Sequence, residues 1–141
     1  MGAHDAYGKL VMRQAAGEAF REYGDAVTVP YGARGGATID GVVGDSVAVE
    51  IESRVSKQVR GAVLDLICHP YPKKLLVLLP VHMSNPALCS AQCENILARF
   101  VKPQDFRIVV LSGSGANDAT DGDVKLIQAA LSELQENAVA V

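Results

Sequence analysis

No apolar run in this chain approaches the roughly 20 residues that a membrane-spanning helix requires. The longest, Leu75 to Val81, is short and contains Pro80. The start, Met1-Gly2-Ala3-His4-Asp5, lacks the basic n-region and apolar h-region of a secretory signal. Cysteine is scarce, and without a secretory signal Cys68, Cys89 and Cys93 are expected to be free thiols in a reducing compartment. The expectation is therefore a cytoplasmic protein with no membrane partner. Basic excess is also missing, since 13 Lys and Arg stand against 16 Asp and Glu, for a net charge of −3 and a pI near 5.5. Proteins that grip nucleic acid nonspecifically are usually basic. A nucleic-acid role here must rest on a local basic patch or on metal ions that offset the acids. No repeat, linker or low-complexity tract interrupts the 141 residues. At 49% hydrophobic the chain is not disordered, and its length supports one domain, 1–141, with a genuine core.

What is present is periodicity. Plotted at about 100° per residue, Val11, Met12, Ala15, Ala16, Ala19, Phe20 and Tyr23 share one broad face. This predicts an amphipathic helix over 7–23, stopped by Gly24, with Glu18 and Glu22 four apart on its margin. Ala26 to Tyr31 reads as a strand with Pro30 near its end, and Gly32 to Gly36 as a loop. Thr38 to Val43 and Val47 to Glu52 read as a hairpin around Gly44-Asp45-Ser46. A helix is expected from about Val55 to Cys68, ended by His69-Pro70-Tyr71-Pro72. The aliphatic run Leu75 to Val81 suits a strand buried on both faces. Pro86 to Phe100 is a helix capped by Asn85 or Ser84, Phe106 to Leu111 a strand, and Asp121 to Asn137 a final amphipathic helix. The order α-β-β-β-α-β-α-β-α implies an α/β fold whose mixed central sheet joins an antiparallel meander to parallel crossovers.

The hairpin carries the chemistry. Alternation puts Val47, Val49 and Ile51 on one face and Ala48, Glu50 and Glu52 on the other. A two-residue turn would pair Asp40 with Val49 and bury the acid. A three-residue connection instead pairs Val43 with Val47, Gly41 with Val49, Ile39 with Ile51 and Asp40 with Glu50. Every apolar residue then shares a face, the register that burial selects. Asp40, Glu50 and Glu52 converge in that register. Three neighbouring acids repel, and a divalent cation removes the penalty. Hard oxygen ligands suit Mg²⁺ or Mn²⁺, with water and a substrate phosphate completing the shell. Such an ion lowers the pKa of bound water and stabilises transition-state charge on phosphorus.

An aspartate at a strand end, then an acid-x-acid ten residues on in the next strand, resembles the PD-(D/E)XK nuclease superfamily. The preceding helix and the following helix and strand are similar to its α-β-β-β-α-β core, over roughly residues 8 to 81. The resemblance implies a restriction-endonuclease-like core extended by a further α-β-α. It also implies Mg-dependent DNA endonuclease activity. By that likeness Asp40 and Glu50 would bind metal, and Glu52 would replace the usual lysine, as in type II restriction enzymes that end in E-x-E. Glu18, or alternatively Glu22, would match the extra first-helix acid of junction resolvases. Arg54, Gln58, Gly61 and Asp65 line a helix edge where members place a polar helper. Ile39 replaces the usual proline before the aspartate. The absent lysine leaves the nucleophilic water without one of its orienting groups.

Blander readings stand beside these. Asp40, Glu50 and Glu52 also fit a solvated hairpin face, and Glu18 an exposed helix acid. Cys89 and Cys93, four apart on a helix, could grip zinc with His82 or His69, but buried thiols beside Leu88, Ile96 and Leu97 account for them more simply. Gly113-Ser114-Gly115 follows a strand without completing either nucleotide fingerprint. Arg54, Lys57, Arg60, Lys73 and Lys74 form the basic concentration of the chain, and Arg54, Lys57, Gln58 and Arg60 are the candidate DNA contacts. The expected partners are DNA, a second copy in a homodimer, and a larger restriction or repair protein. The alternative function is a catalytically inactive nuclease-fold subunit that binds DNA or protein in such an assembly.

Overall fold

Helix α1 runs Ala3–Ala16 and ends where Gly17 adopts φ 59°, a left-handed conformation that costs glycine little. In the computed structural model, which describes residues 3–32, 36–54, 56–113 and 119–139, the chain then turns through a short 3₁₀ segment, Gly17–Ala19, into strand β1, Phe20–Arg21. The helix expected over 7–23 is therefore corrected at its C-terminal end. Phe20 keeps its place in the core, but as a strand residue paired with Val43, while Tyr23 is exposed. Pairing with the sheet edge satisfies Phe20 better than one more helical turn would.

The remaining elements are β2 (Thr28–Val29), β3 (Ala37–Thr38), β4 (Gly41–Val43), β5 (Val47–Glu52), α2 (Ser56–Cys68), β6 (Lys73–Leu78), α3 (Pro86–Leu97), β7 (Phe106–Val110) and α4 (Asp121–Val139). Five strands form one mixed sheet in the order β1-β4-β5-β6-β7. The pairs β1–β4 and β4–β5 are antiparallel, whereas β5–β6 and β6–β7 are parallel. Strands β2 and β3 pair with each other outside it. The chain thus has an α/β fold with a mixed sheet between two helical layers.

Strand alternation sorts the two cores. Val43, Val49, Ile51, Leu75, Val77 and Val109 pack with α1 and α4, and Val42, Ala48, Leu76, Leu78 and Phe106 with α2 and α3. Helix α1 crosses β5 closely because Gly8 has no side chain. A Cβ there would lie 2.5 Å from Ile51 Cγ2. Asn85 caps α3 as expected, its Oδ1 accepting the Leu88 N–H at 3.0 Å, ahead of Pro86 in the first turn. Among the described residues no helix is long and apolar enough to cross a membrane.

Further boundaries move. The single strand expected over 38–43 divides, with Ala37–Thr38 in the small sheet and Gly41–Val43 in the large one. The cause is Ile39, whose N–H donates to Val27 O at 2.9 Å and whose side chain joins the α2–α3 core. Ile39 therefore does not share a face with Val43, and the backbone bends at Asp40 between them. The strand expected over 26–31 shortens to two residues, and those over 75–81 and 106–111 end at Leu78 and Val110. The helix expected over 86–100 ends at Leu97. Val55, the Ala33-Arg34-Gly35 part of the glycine loop and Ser114-Gly115 lie outside the described residues.

Candidate active site

The β4–β5 register is the one that a three-residue connection demands, with Gly41 opposite Val49, Val42 opposite Ala48 and Val43 opposite Val47. Gly44 takes φ 59° in the turn. Ladder pairing stops at Gly41, and at the bend just beyond it Asp40 and Glu50 exchange contacts that replace the next rung. The Asp40 N–H donates to Glu50 Oε1 at 2.8 Å, and the Ile51 N–H donates to Asp40 Oδ2 at 2.7 Å. Asp40 is half-buried and Glu50 is buried. Two side-chain carboxyls thus close the open end of the hairpin.

Their electrostatics follow from that crowding. Burial pushes Glu50 up to about 9, and the neighbouring Asp40 charge pushes in the same direction. Asp40 is raised too, chiefly by burial, with opposing pulls from the Ile51 N–H, from Glu50 and from the Lys9 ammonium. Burial and mutual repulsion therefore both favour the protonated form of Glu50 over its carboxylate. Three charged groups from packed helices act on it: Asp5 and Lys9 of α1, and Asp65 of α2. Lys9 Nζ sits 3.5 Å from Glu22 Oε1. Glu22 follows Arg21, the partner of Val42, so this ammonium is held at the Asp40 end of the hairpin.

Glu52 does not join the pair. It is buried, and its Oε2 accepts the backbone N–H groups of Ser53 and Arg54 and Arg54 Nε, each at 2.9 Å. Arg54 Nη2 donates to Oε1 at 2.8 Å. Burial pushes the Glu52 carboxyl up, but the Arg54 contacts outweigh it and hold it below its ordinary range. The expected convergence of three acids is corrected to two, because the chain turns immediately after β5 and brings Arg54 back onto Glu52. Among the described residues no three His, Cys, Asp or Glu side chains are grouped to hold a metal.

Glu18 is placed at the wrong end. The Gly44 N–H donates to Ala19 O at 2.9 Å, so exposed Glu18 flanks the hairpin turn rather than the bend at Asp40. Its alternative, Glu22, is engaged by Arg13 through two bonds of 2.8 Å and by Lys9. Lys57, Gln58 and Arg60 are exposed on α2, whereas Arg54 is committed to Glu52. Lys73 and Lys74 leave the expected basic patch altogether. Parallel pairing sets Lys73 beside Val47, at the far end of β5 from Glu52. Both are buried, Lys73 bonding Asp105 Oδ1 at 2.6 Å and Lys74 bonding His69 O at 2.5 Å. Asp65, expected as a helper, accepts the Tyr31 hydroxyl at 2.6 Å.

Asp5 and Lys9 were not among the residues singled out from the sequence. Their four-residue spacing on the polar margin of α1 is the signal, and only the crossing of α1 over β5 shows that this margin faces Asp40. Asp5 also reaches the end of β5, where the Ser53 hydroxyl donates to its Oδ1 at 3.2 Å. The two-carboxyl site can exchange one proton and can offer two oxygen donors to a hard cation once that proton leaves. No family model, no curated protein and no solved structure matches this chain.

Proposed function

We propose that this chain is a Mg²⁺- or Mn²⁺-dependent DNA endonuclease built on a restriction-endonuclease-like core. The observation that carries the reading is the Asp40–Glu50 carboxyl pair, brought together where the hairpin opens and crowded enough to retain a proton. The large sheet supports it in part: β1, β4 and β5 run antiparallel and α2 leads across to the parallel β6, with Phe20–Arg21 as the first strand in place of the one expected over 26–31, which lies in the small sheet. Mg²⁺ is commonly held by one or two carboxylates plus waters and substrate phosphate, which fits a two-carboxyl site. When bound, the ion supplies charge stabilisation at the scissile phosphate. Asp40 and Glu50, both as carboxylates, would hold it. Lys9 offers positive charge beside Asp40. The exposed α2 residues Lys57, Gln58 and Arg60 offer contacts to the DNA backbone. A core this small offers few elements for target reading, so a homodimer is part of the proposal.

The test is cleavage of single-stranded, duplex and branched DNA with Mg²⁺ or Mn²⁺ by wild type and Glu50→Gln, purified identically. Glutamine keeps the Asp40 N–H acceptor and imitates the protonated acid, so the fold survives while one ligand is lost. Expected is cleavage by wild type and a loss of at least about 100-fold in the variant, beyond what outer contacts to a metal usually cost. Mn²⁺ affinity measured by calorimetry should rise about tenfold per pH unit below the Glu50 pKa, because one proton leaves on binding. Equal cleavage by both proteins would reject the site.

The engagement of Glu52 by Arg54 favours one alternative, a catalytically inactive subunit that binds DNA or a restriction or repair partner. Neither cleavage nor Mn²⁺ binding by wild type would establish that reading over the first.

A further inference from the structure

Helices α2 and α3 are separated by a groove of about 310 Å³ lined by Val59, Arg60, Val63, Cys89, Gln92, Cys93, Asn95 and Ile96. Its floor holds two thiols one helical turn apart. Both are free and buried, and both line the same groove. Neither belongs to the carboxyl site on the hairpin. The histidines once considered as their partners are elsewhere: His69 Nε2 donates to Ala26 O at 2.7 Å, and the His82 ring stacks edge-on against His4.

We propose that Cys89 and Cys93 form a two-coordinate site for a soft monovalent cation, Cu(I). Thiolates select soft ions, and cuprous copper is the physiological one that is satisfied by two of them. The spacing agrees. Cβ atoms at i and i+4 on a helix stand about 5–6 Å apart. A linear S–metal–S unit spans roughly 4.6 Å if each bond is about as long as a zinc–thiolate bond. Zinc is disfavoured because its structural sites need four ligands, and among the described residues no third His, Cys, Asp or Glu completes a cluster. Binding exchanges two thiol protons for one Cu⁺ and leaves a unit with one negative charge. Arg60, on the rim of the same groove, offsets that charge. Burial and Cys89 push the Cys93 thiol up to about 12, so ordinary alkylation and oxidation are slow there, and a soft metal ion must displace the proton directly.

The experiment is an anaerobic titration of the reduced full chain with Cu(I) against a chromophoric chelator. Expected is one Cu(I) removed per chain, with Zn²⁺ bound far more weakly. Cys89→Ser and Cys93→Ser should each lose at least about 100-fold in affinity, Cys68→Ser should match wild type, and Arg60→Gln should weaken binding about tenfold, as outer-shell changes do. Circular dichroism checks that each variant is folded. X-ray absorption on loaded wild type needs no variant and should report two sulfur ligands alone. Unchanged binding in Cys89→Ser or Cys93→Ser, a requirement for Cys68, tighter Zn²⁺ than Cu(I), or a non-sulfur first shell would each overturn the proposal.

Discussion

Glu50 in the folded chain keeps a proton that an ordinary glutamate has lost by neutral pH, and this has a signed consequence for stability. Its folded pKa, near 9, lies above its ordinary 4.5. The native state therefore binds more protons between those values, and stability falls as pH rises through that window. Glu50→Gln removes the dependence. Thermal melts should find the variant clearly more stable than wild type at pH 9 and much closer to it near pH 5. Lys74 has the opposite sign. Burial lowers it from 10.5 to about 8, so the unfolded chain binds more protons between those values and stability rises with pH there. Lys74→Met loses the bond to His69 O but removes a buried ammonium. It should be at least as stable as wild type at pH 7 and should lack the rise of on the order of 1–2 kcal/mol between pH 8 and 10.

At the scale of elements, the bend that makes the carboxyl pair depends on how β1 meets β4. Gly41 is the residue that lets them meet. A Cβ there would lie 2.4 Å from Phe20 Cε1 and 2.9 Å from Arg21 O. The side chain can yield, but the backbone oxygen resists. Gly41→Ala should therefore destabilise by about 1–3 kcal/mol in urea melts, as overpacking does. Adding Phe20→Leu should recover part of that loss in a double-mutant cycle. The β4–β5 register, and with it the meeting of Asp40 and Glu50, was legible in the sequence because a one-residue slip would move Val43, Val47, Val49 and Ile51 off their common face. The end of α1 was not. The helical period continues through Phe20 and Tyr23, whereas the left-handed Gly17 and the pairing of Phe20 and Arg21 with β4 together end the helix at Ala16. Glu52 was misread for a related reason. Strand alternation correctly sets it on the face of Glu50, but the turn after β5 supplies it with Arg54, and alternation carries no information about turns.

Across the whole molecule, another buried acid ties distant parts of the chain together. Asp123 of α4 is fully buried and accepts the Tyr7 hydroxyl at 2.7 Å, the Gly113 N–H at 2.8 Å, and the Ser112 N–H and hydroxyl at 2.9 and 3.0 Å. It joins α1, α4 and the end of β7. Burial alone pushes its carboxyl up, but these four donors outweigh burial and hold it below its ordinary 3.8. Its stabilisation is therefore present above that pH and is lost as pH falls further. Asp123→Asn would turn an amide N–H₂ toward the Tyr7 and Gly113 donors. The expected cost is about 1–3 kcal/mol at pH 7, shrinking below pH 3.8, measured by denaturant unfolding at both pH values.

The sequence by itself determined the α/β class, the order of the principal helices and strands, and the hairpin register. Those follow from local periodicity and from burying one face of each element. Tertiary structure decided which polar groups meet. The crossing of α1 brought Asp5 and Lys9 to Asp40, the fold-back after β5 gave Glu52 to Arg54, and parallel pairing carried Lys73 and Lys74 away from the site. Burial of apolar faces follows from composition and spacing along the chain. The partner of a buried charge depends on which segments the packing brings within a few ångströms, and that distance is not written in the spacing of residues.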